Sequence, residues 1–477
     1  MIEYRRLLTI FPCLLIALSG CSIFGSTPAW EEPPPPPAEG KIGASEDVQR
    51  VVLPNGLTLM VLEDHRLPSM SVGLRLRRGA GSVDPALAGV AELSTEVMQR
   101  GAGDRDALAL AQVVEDAGAS LSVSAGWDST GLSVSGLSED EDLLLEILAD
   151  VALRARFDAR EFEKALAEQR AALVAAQDDP ATLVAWRAMR VLYDGHRYGL
   201  PLSGSPETLS RIDVAAARDY WTSRFVPRNT IFWAVGDLSA SRMIEEAKKR
   251  FGDLPDLPVP EETPVVAAKT PKARRIVVVD KPELGQARII VAHEGISRTE
   301  PTRIAVDLMN DVLGGSGFSS RLMMSIRSDA GLTYGVGSRF SLRRRPGPFS
   351  ASTFTRVPQV RRVVDLVLLG MREIRSDRPV DESELAKFVS YNVGRFGLSL
   401  ETSGAVLGAL IDLDVYSLPE DSLDTYRGRV RAVNVEDVAN AARTRLDPDR
   451  AAIIVLGPAA DIVGQLEDLG PVEVVEP

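Results

Sequence analysis

An internal repeat is the sequence feature that most constrains the fold of this 477-residue chain. A segment that begins at Asp213 returns 221 residues later at Asn434. Both segments read as a capping residue, a helix, a Pro-containing turn and an apolar strand, and Asp and Asn are favourable N-caps. The same offset relates three further pairs: Phe225 and Leu446, Pro227 and Pro448, and Gly236 and Gly457. The chain is therefore predicted to contain a duplicated domain.

Each half of the repeat mixes strand and helix patterns. Apolar runs on both sides of Pro54-Asn55-Gly56 predict a β-hairpin, and alternation predicts a strand at 71–77. Helical periodicity follows at 89–100 and 139–154. The sequence therefore predicts an α+β fold. The predicted organisation is a first domain at residues 46–253, a Pro-rich linker at 254–272 and a second domain at 273–470.

The first 45 residues are typical of a targeting segment followed by a tether. A positively charged start and a short apolar run precede the sequence LSGC, which ends at Cys21. This order predicts a bacterial lipoprotein signal peptide at residues 1–20 and a lipid on Cys21; the alternative is a plain secretory signal. Residues 21–45 are rich in Pro and predict a stiff tether. Because Ser22 follows the cysteine, we expect the outer membrane, facing the periplasm.

Charge and motif content exclude several functional classes. The net charge of −13 argues against nucleic-acid binding, because phosphate neutralisation needs a basic surface. Both cysteines, Cys13 and Cys21, fall in the signal and lipidation segment, so no cysteine nucleophile or disulfide is predicted. P-loop and Gly-x-Ser-x-Gly motifs are absent from the sequence. The run Arg343-Arg344-Arg345 is typical of a solvated loop.

Several short motifs carry a resemblance that covers nearly the whole body of the chain. They are Asn55-Gly56-Leu57, Asp84-Pro85, Arg100-Gly101, Phe157-Asp158, Asp179-Pro180 and Tyr198-Gly199. In these motifs and their order the chain resembles the M16 (pitrilysin, insulinase-like) peptidase family, in its short-chain bacterial and processing-peptidase branch. The resemblance implies two homologous α+β domains that form one half of a clamshell. Two such halves enclose a chamber for extended peptides.

The zinc motif of the family, His-x-x-Glu-His, is replaced in this chain. The resemblance places its two histidines at Glu92 and Glu96, its catalytic base at Thr95 and the third ligand at Ala172. We therefore expect no metal or other cofactor here. The two carboxylates lie four residues apart and could share a hard cation such as calcium. The alternative is that they are solvated or paired with an arginine such as Arg100.

The second half keeps groups that resemble another part of the family's site. A Gly-rich segment with Gly314, Gly315 and Gly317 precedes Arg327 and Tyr334, which are seven residues apart. In two-chain members such a pair holds the substrate backbone and stabilises the oxyanion in the partner's site. A guanidinium and a phenol are strong donors for that purpose. The alternative is a surface charge at Arg327 and a core aromatic at Tyr334.

The resemblance implies an envelope lipoprotein that is inactive alone and supplies the Arg/Tyr pair to a zinc-bearing M16 subunit. That partner would carry His-x-x-Glu-His and hold the zinc, and the heterodimer would degrade or process extended peptides. A second hypothesis is a catalytically inactive scaffold or peptide-binding lipoprotein. A third, a peptidase that is active on its own, would need a new metal site.

Overall fold

The computed structural model describes residues 46–259 and 273–476. Several predictions lie outside these residues: the signal peptide at 1–20, the lipidated Cys21, the tether at 21–45 and all of the linker after residue 259. The described residues contain both predicted domains. Each is a mixed α/β unit built on one six-stranded sheet.

The first half begins with a hairpin, as the turn residues predict. Asn55 fixes this turn by donating from Nδ2 to the carbonyl oxygen of Phe251, 2.9 Å away. The elements of this half, in chain order, are β1 (Gln49–Val52), β2 (Thr58–Glu63), β3 (Ser69–Leu76), α1 (Val90–Met98), β4 (Gly101–Ala102), β5 (Arg105–Asp106), α2 (Ala107–Asp116), β6 (Ser120–Ala125), β7 (Thr130–Leu137), α3 (Glu141–Arg154), α4 (Ala159–Gln177), α5 (Pro180–Leu192), α6 (Pro206–Leu209), α7 (Val214–Arg224), β8 (Thr230–Gly236) and α8 (Ala240–Phe251).

The second half contains two π-helical segments, Asp311–Gly315 and Met323–Asp329. Its other elements are β9 (Arg275–Asp280), β10 (Gln286–Glu294), α9 (Arg303–Asn310), β11 (Val336–Phe340), β12 (Pro348–Arg356), α10 (Val360–Arg375), α11 (Glu382–Leu398), α12 (Ser403–Val415), α13 (Ser422–Arg431), α14 (Val435–Arg445), β13 (Ala452–Gly457), α15 (Ala459–Leu466) and β14 (Val472–Val475). In the described residues no single helix has the length and apolar composition of a membrane span; only α11 and α12 together do, and they are bent by 112°.

Five strands of each sheet follow the same order, which confirms the duplicated α+β domain. The outer strand differs: β1 precedes β2 and is antiparallel to it, whereas β14 comes last among the described strands and is parallel to β9. The first sheet runs β1-β2-β8-β3-β7-β6 and the second runs β14-β9-β13-β10-β12-β11. The repeated strands β8 and β13 are both internal, parallel to one neighbour and antiparallel to the other. Asp213 and Asn434 cap the repeated helices, as predicted. Because β14 pairs with β9, the second half extends a few residues beyond the predicted end at 470.

Two helices are exchanged between the halves. Helix α5 belongs to the first half but packs on the second sheet, where Leu183 and Val184 join the buried side chains of β9, β10 and β13. Helix α12 belongs to the second half and packs on the first sheet, where Leu407 and Ile411 meet β2 and β8. Each half therefore buries apolar area of the other, and burial of this kind is the dominant stabilising contribution in a fold.

Polar contacts reinforce the junction and overturn the prediction of a solvated loop at 343–345. The guanidinium of Arg343 lies 4.1 Å from the ring centre of Trp127 and 4.3 Å from that of Tyr198. Arg344 donates to the carbonyl oxygens of Arg77 and Val415, both at 2.8 Å. Arg345 is exposed. The charge pattern alone gave no indication that the neighbouring half supplies aromatic rings and acceptors for two of the three arginines.

A buried histidine near this junction makes stability depend on pH. Nδ1 of His196 accepts a hydrogen bond from the backbone N–H of Tyr198 at 2.9 Å. Burial, together with the charges of Arg345 and Arg343, lowers the pKa of His196 to about 4. The unfolded chain, with a histidine pKa of about 6.5, binds the proton first. The free energy of unfolding should therefore fall between about pH 6.5 and 4, by at most about 3 kcal/mol from this group.

The variant His196→Asn tests this dependence, because Oδ1 of Asn can accept the same backbone hydrogen bond without titrating. Urea unfolding of both proteins at pH 7.5, 6, 5 and 4 should show a shallower loss of stability for the variant. Equal slopes for the two proteins would contradict the assignment.

Candidate functional site

Helix α1 carries Glu92, Thr95 and Glu96, the positions to which the resemblance assigns the zinc motif, and it presents the two glutamates on one face. The helix begins after Gly89, whose φ of 102° and whose close approach to Ser203 O (2.8 Å from an added Cβ) leave no room for a side chain. Seven of its nine residues are buried, and the two exposed ones are Glu92 and Glu96. Both carboxylates thus emerge from the same side of an otherwise buried helix.

Arg100 links one of these carboxylates, Glu96, to the neighbouring helix α4. Nη2 of Arg100 lies 2.7 Å from Oε1 of Glu96 and 2.5 Å from Oε2 of Glu168. The predicted pairing of Glu96 with Arg100 is therefore present in the structure. Partial desolvation of the carboxyl group raises the pKa of Glu92, although much of the side chain is exposed; the positive charge of Arg197 opposes this shift and the negative charge of Glu96 adds to it. The hydrogen bond from Arg100 lowers the pKa of Glu168.

The other two positions that the resemblance assigns to the zinc site, Thr95 and Ala172, do not fit the metal either. Thr95 is buried and donates its hydroxyl to the carbonyl oxygen of Glu92 at 3.0 Å, so it caps its own helix turn. Ala172 is exposed on α4 and has no donor atom in its side chain. Within residues 46–259 and 273–476, no group of three His, Cys, Asp or Glu side chains is arranged to hold a metal ion.

Arg327 and Tyr334 meet at a cleft in the second half. Both line a concavity of about 590 Å³ with Phe354 and Arg356 of β12. The guanidinium of Arg327 lies 4.5 Å from the ring centre of Phe318. Tyr334 is 84% exposed, so the alternative of a core aromatic at this position is wrong. The structure brings the two donors together at one surface, with the phenol open to solvent.

The Gly-rich segment closes the sheet edge next to this cleft. Gly314 and Gly315 lie in the first π-helical segment, which packs against β11. A Cβ at Gly314 would lie 2.7 Å from Oγ of Ser338, and one at Gly315 would lie 2.5 Å from Nδ2 of Asn310. These glycines are needed for that close approach. Together with Gly317 they line a larger cleft of about 890 Å³.

Three arginines at these clefts escaped the sequence-based prediction. Arg288, Arg339 and Arg356 lie on β10, β11 and β12, each next to at least one buried neighbour that points to the other side of the sheet. The strand alternation was a usable signal, since successive side chains of a strand face opposite sides. The pairing of the three strands, which gathers these arginines on one face, was not visible in the sequence.

Comparisons with known proteins agree with this architecture. Residues 59–205 match the family model described as insulinase (peptidase family M16), and residues 211–390 match the one described as peptidase M16 inactive domain. The uncharacterized zinc protease SCO5738 of Streptomyces coelicolor is 23% identical over 417 residues, which are 87% of this chain and 90% of that protein. The uncharacterized zinc protease YmxG of Bacillus subtilis is 22% identical over 408 residues, 86% of this chain and 98% of that protein.

Solved structures show the same fold. A peptidase M16 inactive domain from Pseudomonas fluorescens superposes with a TM-score of 0.78 at 28% identity, covering 86% of this chain and 98% of that chain. A protease from Helicobacter pylori superposes with a TM-score of 0.77 at 18% identity, covering 86% of this chain and 99% of that chain. The two family models together span most of the described residues in both halves, and the chain therefore belongs to the M16 peptidase family.

Proposed function

We propose that this chain is the non-catalytic subunit of a heterodimeric M16 zinc metallopeptidase, to which it supplies Arg327 and Tyr334. The zinc is bound by the partner subunit, which carries His-x-x-Glu-His. The substrates are extended peptides that the heterodimer degrades or processes in the cell envelope. The chain is held there by a lipid on Cys21, at the outer membrane facing the periplasm.

The observation that carries this proposal is the shared cleft of Arg327 and Tyr334. The two strong donors line one concavity, and Arg327 forms no ion pair with any carboxylate of the described residues. Donors of this kind stabilise negative charge that develops on a carbonyl oxygen, provided that they are fixed before the reaction. In the proposed complex they hold the substrate backbone and stabilise the oxyanion. Zinc on the partner supplies the activated water.

An exposed apolar rim around the pair favours a protein partner at this surface. Phe318 is 68% exposed, and Met324 is 45% exposed on the second π-helical segment. Tyr334, which is also exposed, follows this segment by five residues. Aromatic and methionine side chains are enriched in the cores of protein interfaces, and exposed apolar clusters commonly mark such interfaces.

The composition of α1 and α4 supports the part of the proposal that places the zinc on the partner subunit. With Glu92 and Glu96 in the histidine positions and Arg100 between the helices, a zinc ion would have to displace a guanidinium already held by two carboxylates. A positively charged group next to a metal also disfavours metal binding through repulsion. A working M16 site therefore needs zinc from a second chain.

Co-purification tests the proposal directly. The lipid-free body, residues 41–477, is tagged and isolated from its own envelope extract. The eluate is examined for an M16 chain with His-x-x-Glu-His, for its zinc content and for cleavage of a quenched fluorescent peptide. We expect one zinc per heterodimer and activity only when both chains are present.

The alternative function predicts a different outcome of the same experiment. A scaffold or peptide-binding lipoprotein would elute without an M16 partner and without zinc, and its own fraction would not cleave the peptide. Binding of the uncleaved peptide would then assign peptide capture to this chain and end the heterodimer proposal.

A further inference from the structure

The two clefts on the second sheet are lined by arginine and by no carboxylate. The larger cleft has Arg288, Arg339 and Arg343 on its walls, and the smaller has Arg327 and Arg356. The described lining residues of both include no Asp or Glu. Such a local excess of positive charge stands out in a chain whose net charge is −13.

The two clefts form one continuous surface. Phe354 of β12 lines both, and the guanidinium of Arg288 lies 4.8 Å from the centre of its ring. Along β12 the partly or fully exposed residues Ser352, Phe354 and Arg356 alternate with buried ones, so they share the cleft face of the sheet. An extended ligand that follows β12 would pass from one cleft into the other.

Four arginines of this surface form no short ion pair with the described carboxylates, although Arg288 acts on Asp179, and Asp128 on Arg343, over longer distances. Among the described residues, Arg288, Arg327, Arg339 and Arg356 form no ion pair with any carboxylate. Nη1 of Arg343 is buried and has no hydrogen-bond acceptor in the described part of the chain. Clefts lined by one sign of charge concentrate the field and attract ligands of the opposite sign. The surface is therefore complementary to an anion.

The opposite wall of the larger cleft is apolar, and the residues at its floor have small side chains. Helix α5 contributes Ala181, Val184, Ala185 and Met189, and the floor includes Gly337 and Ser350. Small side chains leave room for a polypeptide backbone, and the apolar wall suits aliphatic side chains between the charged ones. We propose that this surface selects extended peptides rich in Asp and Glu with interspersed apolar residues.

This inference rests on the proposed function, because it names the substrate class of the same chamber. A nucleic acid is the other polyanion to consider. The apolar wall on α5 offers nothing to a phosphate backbone, and the overall negative charge would repel a long polyanion outside the cleft. The geometry and charge together favour the acidic peptide.

Peptide binding to the lipid-free body (residues 41–477) provides the test. The probes are two fluorescein-labelled ten-residue peptides with aliphatic residues. One carries Glu at four alternate positions, and the other carries Gln at the same four positions. Fluorescence anisotropy at low and at physiological salt should show about tenfold tighter binding of the Glu peptide, since several exposed ion pairs each contribute a fraction of that factor. The preference should shrink as salt rises.

Matched variants assign the preference to the clefts. The triple variant R288Q/R339Q/R356Q should remove most of it. The control R160Q/R362Q/R429Q removes the same charge from exposed arginines outside the two clefts and should leave it unchanged. Circular dichroism of both variants confirms that the fold is retained.

Three results would overturn the inference. The first is equal affinity for the two peptides, including no binding of either. The second is an equal effect of the two triple variants, and the third is binding of a ten-nucleotide oligo-dT as tight as that of the Glu peptide. None of these measurements involves the zinc-bearing partner. A failure here with an active heterodimer therefore removes only the substrate class, whereas a missing partner removes the proposed function.

Discussion

Replacing Arg327 by Ala in the reconstituted heterodimer should lower kcat/KM for a quenched peptide about 10²- to 10³-fold, the usual loss when one oxyanion donor is removed. Tyr334→Phe, which deletes only the phenol hydroxyl, should cause a loss of the same order. Because the proposed contacts strengthen as charge develops on the carbonyl oxygen, most of the loss should appear in kcat and less in KM. Steady-state kinetics at fixed zinc content measures both.

Two control variants separate this effect from general damage. Arg160 is an exposed arginine on the first turn of α4, and Tyr391 is a 45% exposed tyrosine on α11. Arg160→Ala and Tyr391→Phe should leave kcat/KM within about twofold, since surface changes of this kind usually cost little. If Arg327→Ala lost no more activity than Arg160→Ala, the pair would have no role in the reaction.

Removing the carboxylate of Asp414 should destabilise the protein by about 3–5 kcal/mol, because it leaves partly buried positive charge unpaired at the junction of the halves. Oδ1 of Asp414 accepts a hydrogen bond from Nε of Arg77 at 2.6 Å, and Oδ2 accepts one from Arg50 at 2.8 Å. The side chains of Arg77 and Asp414 are only 19% and 10% exposed. Urea unfolding of Asp414→Ala, followed by far-UV circular dichroism, measures the loss.

The matched control for this change is Glu420→Ala. Glu420 also pairs with Arg50, at 3.7 Å, but is 88% exposed, so its removal should change stability by less than about 0.5 kcal/mol. Burial by itself would raise the pKa of Asp414, yet the hydrogen bonds from Arg77 and Arg50 lower it. The stabilisation by Asp414 is therefore complete above the unfolded pKa, about 3.9, and is lost as pH falls through the lower folded pKa. Equal losses for the two variants at pH 7 would contradict this account.

The sequence was sufficient for the architecture because the repeat and the local patterns point the same way. The offset between Asp213 and Asn434 predicted two related α+β units, and the observed sheets share the order of five of their six strands. Hydrophobic alternation and N-cap residues depend on local chemistry, which is readable without knowing the tertiary contacts. The resemblance assigns the zinc-motif positions to Glu92, Thr95 and Glu96, and this assignment stays a prediction.

The contacts that join distant segments were not readable from the sequence. Arg343 and Arg344 were predicted to be solvated, yet Arg343 packs on two aromatic rings of the first half and Arg344 donates to the carbonyl oxygen of Arg77. The arginines on β10, β11 and β12 come from segments that meet only through strand pairing. A run of charged residues, or a single charged residue, has the same sequence pattern whether the side chains face water, an aromatic ring or a ligand. Tertiary placement decides among these outcomes.

The exchange of α5 and α12 has a consequence for the ancestry of the chain. A half-length precursor with this fold would expose one apolar sheet face as a monomer, because the helix that covers it comes from the other half. Two identical copies could cover both faces by trading that helix around a twofold axis, which is a low-cost route to a stable dimer. Fusion of the two copies would then preserve the arrangement, and one copy would be free to accumulate changes such as those at Glu92 and Glu96.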